Sequence, residues 1–296
     1  MKRRVLLLVL VISGIVLGAA TPAAAHAGGL TATDSRGRVV SVTPAIPGLR
    51  VTAIENGARL RLRNGTGAPV TVTAGGSTVA AGEELIWIDE RATPDGRAVR
   101  AGETLEWTVL LDANGTPVTV TGTLTGEDPP LAPLWWAATA LTLIALLLPA
   151  RRLARADLLL AGAGSMAAIA SISHVLGSTL AVESAPLPGT FLSAAGINLL
   201  AWPLLIGGAI TALRGRPAGV LAVCAGAALT AVFVLPDVTS FHRAVLPFAG
   251  PAVLERVLVV LALGLGAGVA AAGANVLRRL ADKRTETGVT NRAETP

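Results

Sequence analysis

Residues 117–155 read PVTVTGTLTG, then EDPP, then LAPLWWAATALTLIALLLPA, then RRLAR. The first part alternates apolar and hydroxylated residues, the pattern of a strand with one covered and one wet face. Two prolines interrupt regular pairing at 129 and 130, and the uncharged run 131–150 that follows matches the roughly 20 helical residues needed to cross a hydrocarbon layer. Arg151, Arg152 and Arg155 then close it with positive charge. A β domain therefore ends, and a membrane domain begins, within one short stretch.

Upstream of this point, short β-branched runs are broken by Gly, Asn, Asp and Pro. Candidate strands are 39–43, 50–54, 58–63, 70–74, 84–88, 104–111 and 117–124. Arg59, Arg61 and Arg63 alternate with Leu60 and Leu62, which gives one wet and one buried face. Asn56-Gly57, Asn64-Gly65 and Asn114-Gly115 supply residues that tolerate the left-handed conformations of tight turns. Seven short strands in about a hundred residues predict an all-β immunoglobulin-like sandwich over 28–126. Trp87 and Trp107 read as its core. Glu83-Glu84 and Asp89-Glu90 lack the alternating oxygen ligands of a calcium loop and read as solvated turns.

Before the β domain, Lys2, Arg3 and Arg4 precede an apolar run and the small residues Ala23-Ala24-Ala25-His26-Ala27. This is the pattern of a signal peptide, assigned to 1–27. Cleavage after Ala25 satisfies the motif equally well, and would expose His26 as an amino-terminal copper chelator.

Downstream, five apolar segments at 131–150, 158–176, 191–213, 218–235 and 252–276 predict a five-span helical bundle over 127–277. Arg151, Arg152, Arg155, Arg214 and Arg216 occupy alternate loops, and Arg278, Arg279, Lys283, Arg284 and Arg292 lie in the tail at 278–296. They share one side if the β domain is outside, as the positive-inside rule requires. The expected location is thus the cell membrane, with an extracytoplasmic β domain and a cytoplasmic tail able to meet anionic lipid. Gly162-Ala163-Gly164-Ser165 and Gly264-Leu265-Gly266-Ala267-Gly268 permit close helix approach. Trp135 and Trp136 read as interfacial anchors, and Asp157 as a helix cap.

Mean hydropathy of +0.64 and 52% hydrophobic content are too apolar for an ordinary soluble enzyme. A single cysteine, Cys224, excludes intramolecular disulfides and multi-cysteine metal frameworks. Residues 30–130 hold 12 acidic and 9 basic side chains, a formal net charge of −3, which argues against a nucleic-acid partner. No Gly-x-Ser-x-Gly elbow, His-Glu-x-x-His motif, phosphate loop or dinucleotide fingerprint is present, so catalysis is the weaker expectation.

The proposed topology brings His174, His242 and Asp237 to one end of the bundle, with Glu183 and Glu255 near them. Histidine with carboxylate is the chemistry of a copper or zinc site. Metal handling through His174, His242, Asp237 and Glu183 is one expected function, and a Cys224–Met166 pair is a further Cu(I) arrangement. Arg256 is expected to pair with Glu183, Glu255 or Asp237, or to reach the headgroups. The other function, which leads, is a membrane-embedded accessory or scaffold protein that contacts a membrane or envelope protein; no small-molecule substrate is indicated.

The Ala/Gly-rich leader, the arginine bias and the β domain joined to short-looped helices resemble uncharacterised membrane proteins of high-GC actinobacteria. A leader ending near a histidine, then a β domain and a bundle, also loosely resembles copper-resistance proteins that fuse a periplasmic domain to a transport domain. The methionine- and histidine-rich stretches of that group are missing here.

Overall fold

The computed structural model describes residues 27–153 and 155–293. Residues 1–26 of the expected leader, His26 among them, lie outside the described residues. Eight strands form the first domain: β1 (Ser35–Thr43), β2 (Leu49–Ile54), β3 (Arg59–Asn64), β4 (Val70–Val72), β5 (Ser77–Val79), β6 (Glu84–Trp87), β7 (Thr104–Ala113) and β8 (Thr116–Gly126). Each of the seven candidate stretches contains or overlaps a strand, and β5 is additional.

The strands pair antiparallel in two sheets, β1-β8-β7-β4-β5 and β2-β3-β6. The expected immunoglobulin-like sandwich does not form, because the sheets stay open and do not curl as that fold requires. Alternation specifies which side chains are covered, whereas strand neighbours depend on contacts distant in sequence. Here β1 pairs with the last strand, Ser35 opposite Gly126, and β4 joins the far side of β7 with Val70 opposite Ala113.

The two sheets share one apolar core. Leu60 and Leu62 of β3 meet Val109 and Leu111 of β7 and Val118, Val120 and Leu124 of β8, with Trp107 buried among them and Trp87 packed at the margin. Asn56, Gly57, Asn114 and Gly115 all have positive φ, as tight turns demand. Asn64 works differently. It is buried, and its Nδ2 donates to the carbonyls of Ala68 and Val79, both at 2.9 Å.

The helices are α1 (Ala132–Arg152), α2 (Ala156–Leu180), α3 (Leu187–Ala195), α4 (Asn198–Leu213), α5 (Pro217–Phe233) and α6 (Ala252–Ala293). Three are long and apolar enough to cross a membrane: α1, α2 and the 252–273 part of α6. The other two expected spans are broken. The α3–α4 pair bends by 70°, and α5 bends by 52° into a 3-10 turn at Leu235–Phe241, so the bundle has up to five spans if each bent pair counts as one. Gly196, between α3 and α4, has φ +45° and ψ −125°, outside the helical region and accessible chiefly to glycine. The polar tail expected from 278 continues α6 to Ala293.

Small residues let these helices touch. A Cβ on Gly264 would meet Thr142 and the Thr139 carbonyl of α1, and one on Gly266 would meet Ala227 and Ala231 of α5. Only 11% of the apolar window of α1 is buried, against 61% for α6. The outward Leu141, Ile144 and Leu148 of α1 are surface that suits hydrocarbon. Asp157 lies in the first turn of α2, whose N-cap, Arg155, makes no side-chain cap hydrogen bond.

Candidate functional site

At the end of the bundle that carries the β domain, three helical segments converge on His174. Its Nε2 lies 3.1 Å from Asp237 Oδ2, and its Nδ1 lies 2.7 Å from Glu255 Oε1. The second contact is at ion-pair distance but lacks the alignment of a hydrogen bond. His174 comes from α2, Asp237 from the 3-10 turn after α5, and Glu255 from the first turn of α6; all three are buried. Arg256, next to Glu255, is buried as well. Its Nε donates to the Ser240 carbonyl at 2.8 Å and its Nη2 to the Arg243 carbonyl at 2.9 Å. The guanidinium also stands 5.9 Å from the Trp135 ring centre, within reach of a cation–π attraction.

A cavity of about 160 Å³ lies beside this cluster, bounded by Ser171, His174, Asp237, Phe233 and the α3–α4 break at Ser193–Asn198. Trp202 Nε1 donates to Ser171 Oγ at 3.1 Å, and Ser171 Oγ donates to Asn198 Oδ1 at 3.3 Å. The break therefore does more than bend a helix: it brings amide and hydroxyl groups to a wall that an uninterrupted apolar helix would line with hydrocarbon.

The expected metal site is overturned. Among the described residues, no group of three or more His, Cys, Asp or Glu side chains could hold a metal ion. Of the four predicted ligands, only His174 and Asp237 meet. His242 is exposed, and its Nε2 accepts from Trp136 Nε1 at 3.3 Å. Glu183 faces the β domain, 3.2 Å from Arg61 Nη1. A shared level along the bundle does not converge side chains that belong to different faces. The proposed copper or zinc is thus withdrawn, and so is the Cu(I) pair: Cys224 Sγ approaches the Val269 carbonyl at 3.8 Å, whereas Met166 is exposed.

One residue of each acidic pair of the β domain is held in an ion pair. Glu84 lies 3.1 Å from Arg61 and 3.0 Å from Arg63. Asp89 accepts Arg91 Nε at 2.9 Å and Nη2 at 2.7 Å, and this paired guanidinium holds its carboxyl below the ordinary aspartate value despite burial.

A second set of polar contacts clamps the β domain to the helices. Glu55 has positive φ, an unfavourable conformation for a residue with a side chain. Its fully buried carboxylate accepts the backbone N–H groups of Glu183 and Ser184, both at 2.9 Å, and pairs with Arg59. Arg59 also donates to Ser184 Oγ and to the Gly28 carbonyl, both at 2.9 Å. On the other side, Thr33 and Val245 form an antiparallel bridge, Asn56 Nδ2 donates to the Leu246 carbonyl at 3.1 Å, and Arg243 pairs with Asp34. Sequence reading missed this clamp. The only local signal was Glu55 immediately before Asn56-Gly57.

The fold and its polar contacts define a membrane-spanning helical bundle with a β-sheet domain fastened to one end. Comparison of the chain with protein-family models, with curated proteins and with solved structures gives no match.

Proposed function

We propose that this is a membrane-embedded accessory protein that holds its β domain at the outer surface, where the free sheet face contacts a membrane or envelope protein. The observation that carries this reading is the clamp. A domain fixed by Glu55, Arg59, Asn56 and Arg243 is oriented by the bundle rather than tethered loosely to it, which lowers the orientational entropy lost on docking. The outward Glu106, Thr108 and Leu110 of β7 and Thr119 and Thr121 of β8 stand outside the clamp. Hydroxyls that both donate and accept suit a polar partner surface. The arginines of alternate loops support an outer β domain and an inner carboxyl end, with the basic tail at anionic lipid.

The test uses the full chain in intact cells. A photo-reactive side chain at Leu110 or Thr121 should yield one discrete protein adduct, lost in a Thr108→Arg variant, while the same group at the lipid-facing Leu141 should not. A Leu110→Cys thiol should also react with a membrane-impermeant reagent without permeabilisation. Absence of a discrete adduct at both sheet positions, or labelling of the thiol only in opened cells, would refute the reading.

A further inference from the structure

The chemistry of His174 extends beyond packing. A neutral imidazole has one N–H and one lone pair, so it can satisfy one carboxylate but must turn its lone pair toward the other. Here both ring nitrogens face carboxylate oxygens, at 3.1 Å from Asp237 and 2.7 Å from Glu255. Only the imidazolium carries an N–H on both nitrogens, and its charge draws Glu255 to ion-pair distance at Nδ1 even without hydrogen-bond alignment. Charge balance agrees: His174 and Arg256 as cations offset Asp237 and Glu255 as anions within one buried cluster. Loss of the ring proton would leave a net negative charge in a medium where unpaired charge is expensive.

The elements around the ring carry no further buried charge of this kind among the described residues. From α2 the neighbour is Ser171, and from the start of α4 it is Asn198, both on the cavity wall. Asp237 comes from the 3-10 turn, and Glu255 and Arg256 come from α6. His242 and Arg243 follow the turn but point elsewhere, to Trp136 and Asp34. The cavity, about 160 Å³ and bordered by Ser171, Asn198 and Asp237, has the size and polarity to admit water, the donor and acceptor of the exchanged proton.

We propose that His174, Asp237 and Glu255 form a proton-binding site within the bundle, in which the bound proton, carried as imidazolium between two carboxylates, fixes the 235–246 segment and thereby the seat of the β domain. The connection is continuous along the chain. Asp237 contacts His174, Ser240 and Arg243 are held by Arg256, Val245 bridges Thr33, and Leu246 accepts from Asn56. Uptake of one proton from water converts imidazole to imidazolium and tightens this segment; its return to water leaves two carboxylates competing for one N–H. The proposal is independent of what the sheet face contacts.

The experiment uses full-length protein labelled with 15N-histidine in lipid nanodiscs at neutral pH, with His174→Gln identifying the His174 resonances. In the native protein both ring nitrogens should give protonated-type signals. In an Asp237→Asn/Glu255→Gln variant they should separate into the protonated and unprotonated pair of a neutral ring. Hydrogen exchange of the 239–246 amides should then accelerate by about tenfold or more, with the 217–230 amides unchanged as a control for an intact bundle. If the double variant does not fold, Glu255→Gln alone provides both readouts. A neutral His174 in the native protein overturns the site, and unchanged exchange after the ring has lost its charge overturns the coupling.

Discussion

The β domain and the bundle are built with opposite polarity, and each uses charge where the other uses hydrocarbon. In the β domain Leu60, Leu62, Val109 and Val120 are buried, while Arg63, Glu106 and Asp112 face outward. In the bundle Leu141, Ile144, Leu148 and Ile169 face outward, and His174, Asp237, Glu255 and Arg256 lie inside. Solvent explains the inversion. Water rewards burial of leucine in the first region, whereas lipid is indifferent to leucine and penalises exposed charge in the second. The same residue type thus carries different energetic weight on the two sides of Glu127-Asp128-Pro129-Pro130.

The strongest way to break the contrast is to remove one charge from inside the bundle. Arg256→Leu removes the charged donor to the Ser240 and Arg243 carbonyls, at about 1.5–3 kcal/mol for each hydrogen bond made by a charged group. Thermal unfolding in detergent should register it as the largest drop among these variants. Leu62→Ala in the β core should follow at about 2–4 kcal/mol. Leu141→Ala on the outer side of α1 should change stability by less than about 0.5 kcal/mol. If both leucines cost the same, the outward surface of α1 is buried against protein rather than lipid.

The clamp provides an intermediate effect. Glu55→Ala removes the acceptor of two buried backbone N–H groups, at a cost of about 1–3 kcal/mol. It should speed proteolysis around 181–186 while leaving β-core exchange unchanged. Exchange rising throughout the β core would instead show that Glu55 stabilises the domain itself.

The smallest effect expected is acid sensitivity at Asp89. Its folded-state value is depressed by Arg91 from the ordinary 3.8. The contribution is therefore present above that value and is lost as pH falls through the lowered one. Arg91→Gln should flatten this part of the acid-unfolding profile, and an unchanged profile would show that the pair contributes nothing measurable.

Legibility differed between the two regions for physical reasons. Alternation in Arg59–Asn64 and in 117–124 identified strands because side-chain direction has a strict two-residue period. The same alternation did not reveal that β1 lies beside β8 or that the sheets remain open. Apolar length identified α1 and α2 but read 191–213 as continuous, because Gly196 and Asn198 interrupt too few residues to lower the hydropathy of the window. Convergence of His174 with Asp237 and Glu255 required the turn at Leu235–Phe241, and the other proposed ligands, His242 and Glu183, fell on different faces.

By itself, the sequence determined an alternating β region followed by apolar helices, since periodicity and run length are local consequences of backbone geometry and solvent transfer. Tertiary structure alone decided the open sheets, the broken helices, the Glu55 clamp and the four-charge cluster. Those features join residues as far apart as Glu55 and Glu183, and their energies arise only when distant segments exclude solvent together.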